Sequence, residues 1–230
     1  MLDFQNKHIV SIREFTKEGL LKIISLAEKM AEKPPQDLLK GKILGTLFFE
    51  PSTRTRLSFE SAMSRLGGSV VGFADPKSTS TQKGETLDDT IRMINGYADA
   101  IVMRHPVEGA ARFAAEHSSI PVINAGDGAN QHPTQTLLDL YSIEKTQEKI
   151  LSEGKKTLKI GMIGDLKYGR TVHSLTIALS MFKCEFYFIA PKILRMPDDY
   201  LHVATDAGCK IHQMENIEPV IPELDILYST

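Results

Sequence analysis

Along nearly the whole chain, short apolar runs alternate with segments whose apolar residues recur every three or four positions. The runs at residues 43–49, 69–74, 99–104 and 121–125 have strand length and character. Helical spacing is found at 53–66, from Thr86 to about Tyr97, around 109–117, and from Thr134 onward. Before them, residues 8–12 open the chain. Thr16 then caps an amphipathic helix with Leu20, Leu21, Ile23, Ile24, Leu26, Ala27 and Met30 on its apolar side, which Pro34-Pro35 ends. A charged stretch with one glycine, 148–156, reads as a boundary, after which the alternation restarts. Strands are predicted at 158–165, 184–190 and 224–228, with helices at 169–182 and 197–207. Strand and helix in regular exchange at short intervals predict parallel sheets covered on both faces. The fold class expected is therefore α/β, with two doubly wound parallel-sheet domains joined by a helix. The expected boundaries are 1–133, a connecting helix at 134–150, and 151–230.

Doubly wound sheets bind ligands beyond the carboxyl ends of their strands. The polar residues collect at those ends. The turn after the 43–49 run, Glu50-Pro51-Ser52-Thr53-Arg54-Thr55-Arg56, opens a helix with hydroxyls and guanidinium groups. Two arginines at the positive end of a helix oppose its dipole, unless an anion sits there. Forked guanidinium groups and unpaired N–H groups both suit phosphate. Other polar residues at strand ends are Ser78 to Lys83, Arg104-His105, His132 with Gln135, and Lys167 to Arg170. Each alone reads as a solvated loop residue; their sharing one kind of edge favours a site.

Composition removes other classes. The net charge is -2 with basic residues spread along the chain, so neither a nucleic-acid face nor a polybasic membrane patch is expected. No apolar run approaches a membrane span and no basic-then-apolar leader opens the sequence, which favours a cytoplasmic protein. Cys184 and Cys209 fall in strand-like apolar segments and read as buried free thiols. Gly161-Met162-Ile163-Gly164-Asp165 lacks the third glycine of a dinucleotide turn, His132 has no metal-ligand partner at suitable spacing, and no serine sits in a nucleophile elbow. No cofactor and no metal is expected.

The residues themselves resemble a family. Pro51-Ser52-Thr53-Arg54-Thr55-Arg56 is similar to the phosphate-binding signature of the aspartate and ornithine carbamoyltransferases. Lys83-Gly84-Glu85-Thr86, Met103-Arg104-His105-Pro106, the block from His132 to Tyr141 and the block from Gly164 to Ser174 resemble further family motifs, in family order. Within the family, the lysine-bearing loop and His-Pro-Thr-Gln-Thr-Leu-Leu-Asp point to the aspartate branch. Ornithine enzymes usually carry a cysteine after the His-Pro.

The resemblance implies carbamoyl transfer from carbamoyl phosphate to the amino group of aspartate, an early step of pyrimidine synthesis. The alternatives are the ornithine reaction and a phosphate-binding homologue without turnover. It implies that Ser52, Thr53, Arg54 and Thr55 hold the phosphate, with Ser80, Lys83 and Arg104 closing over it. Thr55, Arg104 and His132 would donate to the carbonyl oxygen as charge develops there. Gln135 would fix the carbamoyl amide, and Arg170 and Lys83 would serve aspartate. Lys83 counts with Thr55, Arg104 and His132 as catalytic. The implied assembly is a homotrimer with active sites shared between subunits, and a separate nucleotide-binding regulatory chain is left open. One departure stands out: the family continues past Thr230 with an arginine and a glutamine for aspartate, a His-Pro-Leu-Pro turn and a terminal helix. A C-terminally truncated second domain is the expectation.

Overall fold

The computed structural model describes residue 4 and residues 7–230, excepting the side chains of residues 81 and 82. It divides into two compact units. One holds the described residues up to Ser11 together with Glu28–Thr134; the other holds Ile12–Ala27 and Gln135–Thr230. The division at residue 134 lies beside the expected end of the first domain. Residues 12–27 differ from the expectation, since they belong with the second unit. The reason is apolar contact: Ile12, Leu20 and Ile24 are buried in the same core as Leu140, Leu175 and Leu179.

The first unit is a four-stranded parallel sheet of β1 (Ile43–Phe48), β2 (Ser69–Phe73), β3 (Ala100–His105) and β4 (Val122–Asp127), in the order β2-β1-β3-β4. Period-2 alternation sorts the strand side chains between two cores. Leu47, Ile101, Met103 and Val122 pack with Ile91 and Ile94 of α3 (Leu87–Ile94) and the alanines of α4 (Ala110–His117). Leu44, Phe48, Val102 and Ala125 face the other way and meet Met63 and Phe59 of α2 (Thr53–Arg65). Near the N-terminus, Ile9 bridges to Ile123 in parallel, alongside β4. Helix α1 (Lys17–Glu32) begins at Thr16, whose hydroxyl accepts from the Gly19 N–H at 3.2 Å, as expected of a cap.

The second unit repeats the architecture with β5 (Leu158–Ile163), β6 (Cys184–Ile189), β7 (Lys210–Met214) and β8 (Ile226–Ser229), all parallel, in the order β7-β6-β5-β8. Its large core gathers Leu158, Ile160, Met162, Phe186 and Phe188 against α7 (Arg170–Leu179) and α8 (Asp198–Asp206). Strand β7 was not among the predicted strands. It lies at the sheet edge with no fully buried residue, so its sequence lacks a strong apolar signal. The expected connecting helix at 134–150 is α5 (Pro133–Thr146) followed by a separate short turn, α6 (Ile150–Glu153). Buried Glu144 accepts from the Leu151 N–H at 2.8 Å and so caps that turn. Among the described residues, no helix is long and apolar enough to cross a membrane.

Candidate active site

In each sheet the chain runs outward on one side of a lead strand and then crosses to the other side. The crossing leaves a crevice at the carboxyl ends of two neighbouring strands. In the first unit those strands are β1 and β3, whose last register partners are Phe48 and Arg104. Helix α2 starts from this crevice. Ser52 occupies its N-cap position in an extended conformation (φ -156°, ψ 108°), yet its hydroxyl makes no capping hydrogen bond, and the first turn holds no acidic residue. The first-turn N–H groups thus lack the usual side-chain acceptor. Ser52 and Thr55 are half-buried there, while Thr53 and Arg54 are exposed. Arg56 turns along the helix toward Glu60, 3.8 Å away.

Arg104 faces the same crevice from the end of β3 and is largely buried, its side chain only 12% exposed. Its Nη2 donates to Glu50 Oε1 and its Nη1 to the Ala125 carbonyl, both at 3.4 Å, and Nε has no hydrogen-bond partner. Two long bonds for five donors leave the guanidinium under-engaged. Burial depresses the pKa of neighbouring His105, partly opposed by the charges of Asp127 and Glu50, and its Nδ1 accepts from the Val107 N–H at 3.0 Å. His105 therefore stays neutral near pH 7 and packs on Phe49, ring centroids 4.8 Å apart.

His132 is buried at the end of the loop after β4, with Thr134 Oγ1 3.3 Å from its Nδ1. One carboxylate that sequence reasoning passed over holds this loop in place. Asp127, 1% exposed, accepts from Asn124 Nδ2 (2.9 Å), the Gly109 N–H (3.0 Å), Asn130 Nδ2 (3.0 Å) and the Gln131 N–H (3.2 Å). A buried carboxylate accepting from four donors is well compensated and rigid. Its only trace in the sequence was an Asx-rich loop, which reads as an ordinary turn.

Ser80 and Lys83 are exposed and bound a 3-10 turn, Ser80–Lys83, that follows β2. The turn ends at an anchored helix start. Thr86 and Asp89 form a reciprocal capping box, and Thr90 Oγ1 donates to Glu85 Oε1 at 2.7 Å. Gly72, at the end of the preceding strand, has φ +150° and lies so close to Thr46 that a Cβ there would meet the Thr46 carbonyl oxygen at 2.0 Å.

The remaining two expected residues belong to the second unit. Gln135 lies in the first turn of α5 and donates to Asp139 Oδ1 at 2.9 Å. Arg170 opens α7 at the carboxyl end of β5, where Gly164 (φ +118°) passes so close to residue 230 that a Cβ would meet the Thr230 carbonyl oxygen at 2.3 Å. Gly164 thus serves close backbone approach, whereas Gly161 leaves room for the Leu224 side chain, which a Cβ there would meet at 2.5 Å. A hollow of about 450 Å³ lies elsewhere in this unit, lined by residues 146–150, Glu153, Lys155 and Lys156, and contains none of the expected site residues.

Comparison with known proteins gives these motifs a context. The family profile described as aspartate/ornithine carbamoyltransferase, carbamoyl-P binding domain, matches residues 7–145, and the profile of the Asp/Orn binding domain matches residues 156–230. The chain belongs to the aspartate/ornithine carbamoyltransferase family. Among curated relatives, the aspartate carbamoyltransferase catalytic subunit of Thermococcus gammatolerans is 55% identical across 100% of this chain and 74% of its own length. That of Chromobacterium violaceum is 54% identical across 97% of this chain and 72% of its own. The catalytic subunit of M. jannaschii aspartate transcarbamoylase superposes with a TM-score of 0.89 at 54% identity, covering 97% of this chain and 73% of that one. The Trypanosoma cruzi aspartate transcarbamoylase, solved with carbamoyl phosphate and aspartate, gives 0.90 at 40% identity, covering 97% and 76%. The carbamoyltransferase fold therefore extends over both units of this chain, which spans about three quarters of the length of these relatives.

Proposed function

We propose that this chain transfers the carbamoyl group of carbamoyl phosphate to the amino group of L-aspartate, yielding N-carbamoyl-L-aspartate and phosphate for pyrimidine biosynthesis. The observation behind this reading is the β1/β3 crevice, with an uncapped helix N-terminus following β1 and an under-engaged guanidinium near the end of β3. That is a site built for a phosphoryl group. Ser52, Thr53, Arg54 and Thr55 hold the phosphate with Arg104, and Ser80 and Lys83 close over it. Aspartate is favoured over ornithine by the names of the relatives given above, which are aspartate carbamoyltransferases.

The chemistry needs little beyond positioning and charge stabilisation. The amine nitrogen attacks the carbonyl carbon, a C–N bond forms, and negative charge builds on the carbonyl oxygen. Thr55, Arg104 and His132 donate to that oxygen as its charge grows. The C–O bond to phosphate then breaks, and the departing phosphate takes up the amine proton. Gln135 holds the carbamoyl NH2, and Lys83 and Arg170 bind the aspartate carboxylates.

The expected assembly is a homotrimer in which Ser80 and Lys83 serve a neighbouring subunit's phosphate site. A cytoplasmic setting accords with Cys184 and Cys209, both buried free thiols. Turnover is tested by offering carbamoyl phosphate with aspartate or ornithine in parallel and following both phosphate and carbamoyl-amino acid. Product with aspartate alone is expected; product with ornithine alone, or none with either, overturns the reading. Sharing is tested by mixing inactive Lys83→Ala and His132→Ala subunits, dissociating them and allowing reassembly. Partial return of activity is expected, and mixed oligomers that stay inactive would assign Lys83 to its own chain's site.

A further inference from the structure

A glutamine side chain has two ends, one accepting and one donating, of nearly the same shape. Reading Gln135 as the residue that holds the carbamoyl NH2 requires its oxygen, rather than its nitrogen, to face the substrate. Something must choose between the two orientations. Gln135 and Asp139 are four residues apart on α5 and so share one face of the helix. Gln135 Nε2 donates to Asp139 Oδ1 at 2.9 Å, and the other carboxylate oxygen, Oδ2, accepts from the Tyr228 hydroxyl of β8 at 3.1 Å. Thr171, next to Arg170 at the start of α7, is hydrogen-bonded to the same hydroxyl through its side chain.

These contacts have a direction. Burial pushes the Tyr228 pKa up to about 12, so its hydroxyl keeps its proton near pH 7 and remains a donor to Asp139. Burial raises the pKa of Asp139, and the bonds from Gln135 and Tyr228 work against that by favouring the charged form. As a carboxylate it can only accept, so turning the Gln135 oxygen toward it would oppose two acceptors in a half-buried place.

We infer that Asp139 is a positioning residue that fixes the orientation of the Gln135 amide, so that its oxygen is presented to the carbamoyl NH2. The inference rests on the proposed role of Gln135 and deepens it. Asp139 becomes the source of selectivity for an acyl phosphate bearing NH2 over one bearing CH3. Tyr228 holds the second carboxylate oxygen and keeps Asp139 from rotating away. All three residues lie within the second unit.

The test compares carbamoyl phosphate with acetyl phosphate, which has the same phosphate and carbonyl but a methyl group in place of NH2. Calorimetric affinities for both are measured on the full chain and on the variants Asp139→Asn, Tyr228→Phe and Gln135→Ala. Asp139→Asn should lose up to about tenfold of the preference for carbamoyl phosphate, the scale of one hydrogen bond, with acetyl phosphate affinity unchanged. Tyr228→Phe should lose about two- to threefold in the same selective way. It carries the test if Asp139→Asn fails to fold. Equal weakening of both ligands in Asp139→Asn, or in Tyr228→Phe when it stands in, would reduce Asp139 to a structural role and overturn the inference. Gln135→Ala separates the premise from the inference. If it keeps the full preference, the assignment of Gln135 itself fails; if it loses the preference while Asp139→Asn keeps it, only the role of Asp139 fails.

Discussion

Helices α2 and α7 occupy equivalent places: each follows the lead strand of its sheet and starts at the crevice where the chain reverses direction. Their surroundings differ. Every residue of α7 from Val172 to Leu179 is buried, whereas only Met63 of α2 is. The polar members of α7 are satisfied within its own unit. His173 Nε2 lies 2.8 Å from the Leu166 carbonyl oxygen, and Thr176 donates to the Val172 carbonyl at 2.7 Å. In α2 the serines at 58 and 64 likewise bond back to their own helix, at 2.8 and 2.9 Å, but in the open, and Leu57 is 52% exposed. One helix is fixed by burial on all sides. The other is attached along one stripe, leaving its first turn and outer face available to a ligand or another copy. The same βα unit can thus serve as core or as binding surface, depending on how much of its helix the rest of the unit covers.

The largest expected difference between the two helices is in stability. Leu175→Ala removes a fully buried side chain and should cost about 2–5 kcal/mol, read from urea unfolding. Leu57→Ala should change stability by no more than about 0.5 kcal/mol. A larger loss at Leu57 that deepens on dilution would mean that a second copy covers this face, which would sharpen the contrast.

Function should respond in the opposite sense. Arg54→Ala should weaken binding of a phosphonate analogue of the substrates by about a hundredfold while leaving the unfolding midpoint of the isolated chain nearly unchanged. His132→Ala should instead lower turnover, by about a hundred- to a thousandfold, because its donor strengthens as charge develops on the carbonyl oxygen. Normal turnover with weakened substrate binding in the His132 variant would remove it from the oxyanion role.

The smallest effect concerns pH. Burial holds the pKa of His173 in α7 below its ordinary 6.5, although the bond to the Leu166 carbonyl and the charge of Asp165 oppose this. Below 6.5 the unfolded chain takes up a proton that the folded chain refuses. The stability tied to a neutral His173 is therefore complete above that pH and declines as pH falls toward the folded value. The slope is at most about 1.4 kcal/mol per pH unit. Unfolding followed from about pH 7.5 down to about pH 5.5 should show this decline, reduced in His173→Gln. An unchanged slope in the variant would assign the decline to His8 or His105, whose pKa values burial also lowers.

Hydrophobic periodicity alone was enough to determine the α/β class, the two parallel sheets and most elements, because a strand buried on both faces and an amphipathic helix leave different spacings in sequence. The Ser52–Arg56 turn was equally legible, since arginines at a helix start conflict with local preference. Edge strand β7 was not, because a strand paired on one side and half exposed needs few apolar residues. Only the tertiary structure could assign Ile12–Ala27 to the second unit, since helical spacing marks an apolar face without saying which core receives it. The same limit hid the roles of Asp127 and Asp139. The donors on Asp127 are spread from Gly109 to Gln131, and Asp139 meets Tyr228 from 89 positions away, so these carboxylates acquire their meaning only when folding brings those donors to them.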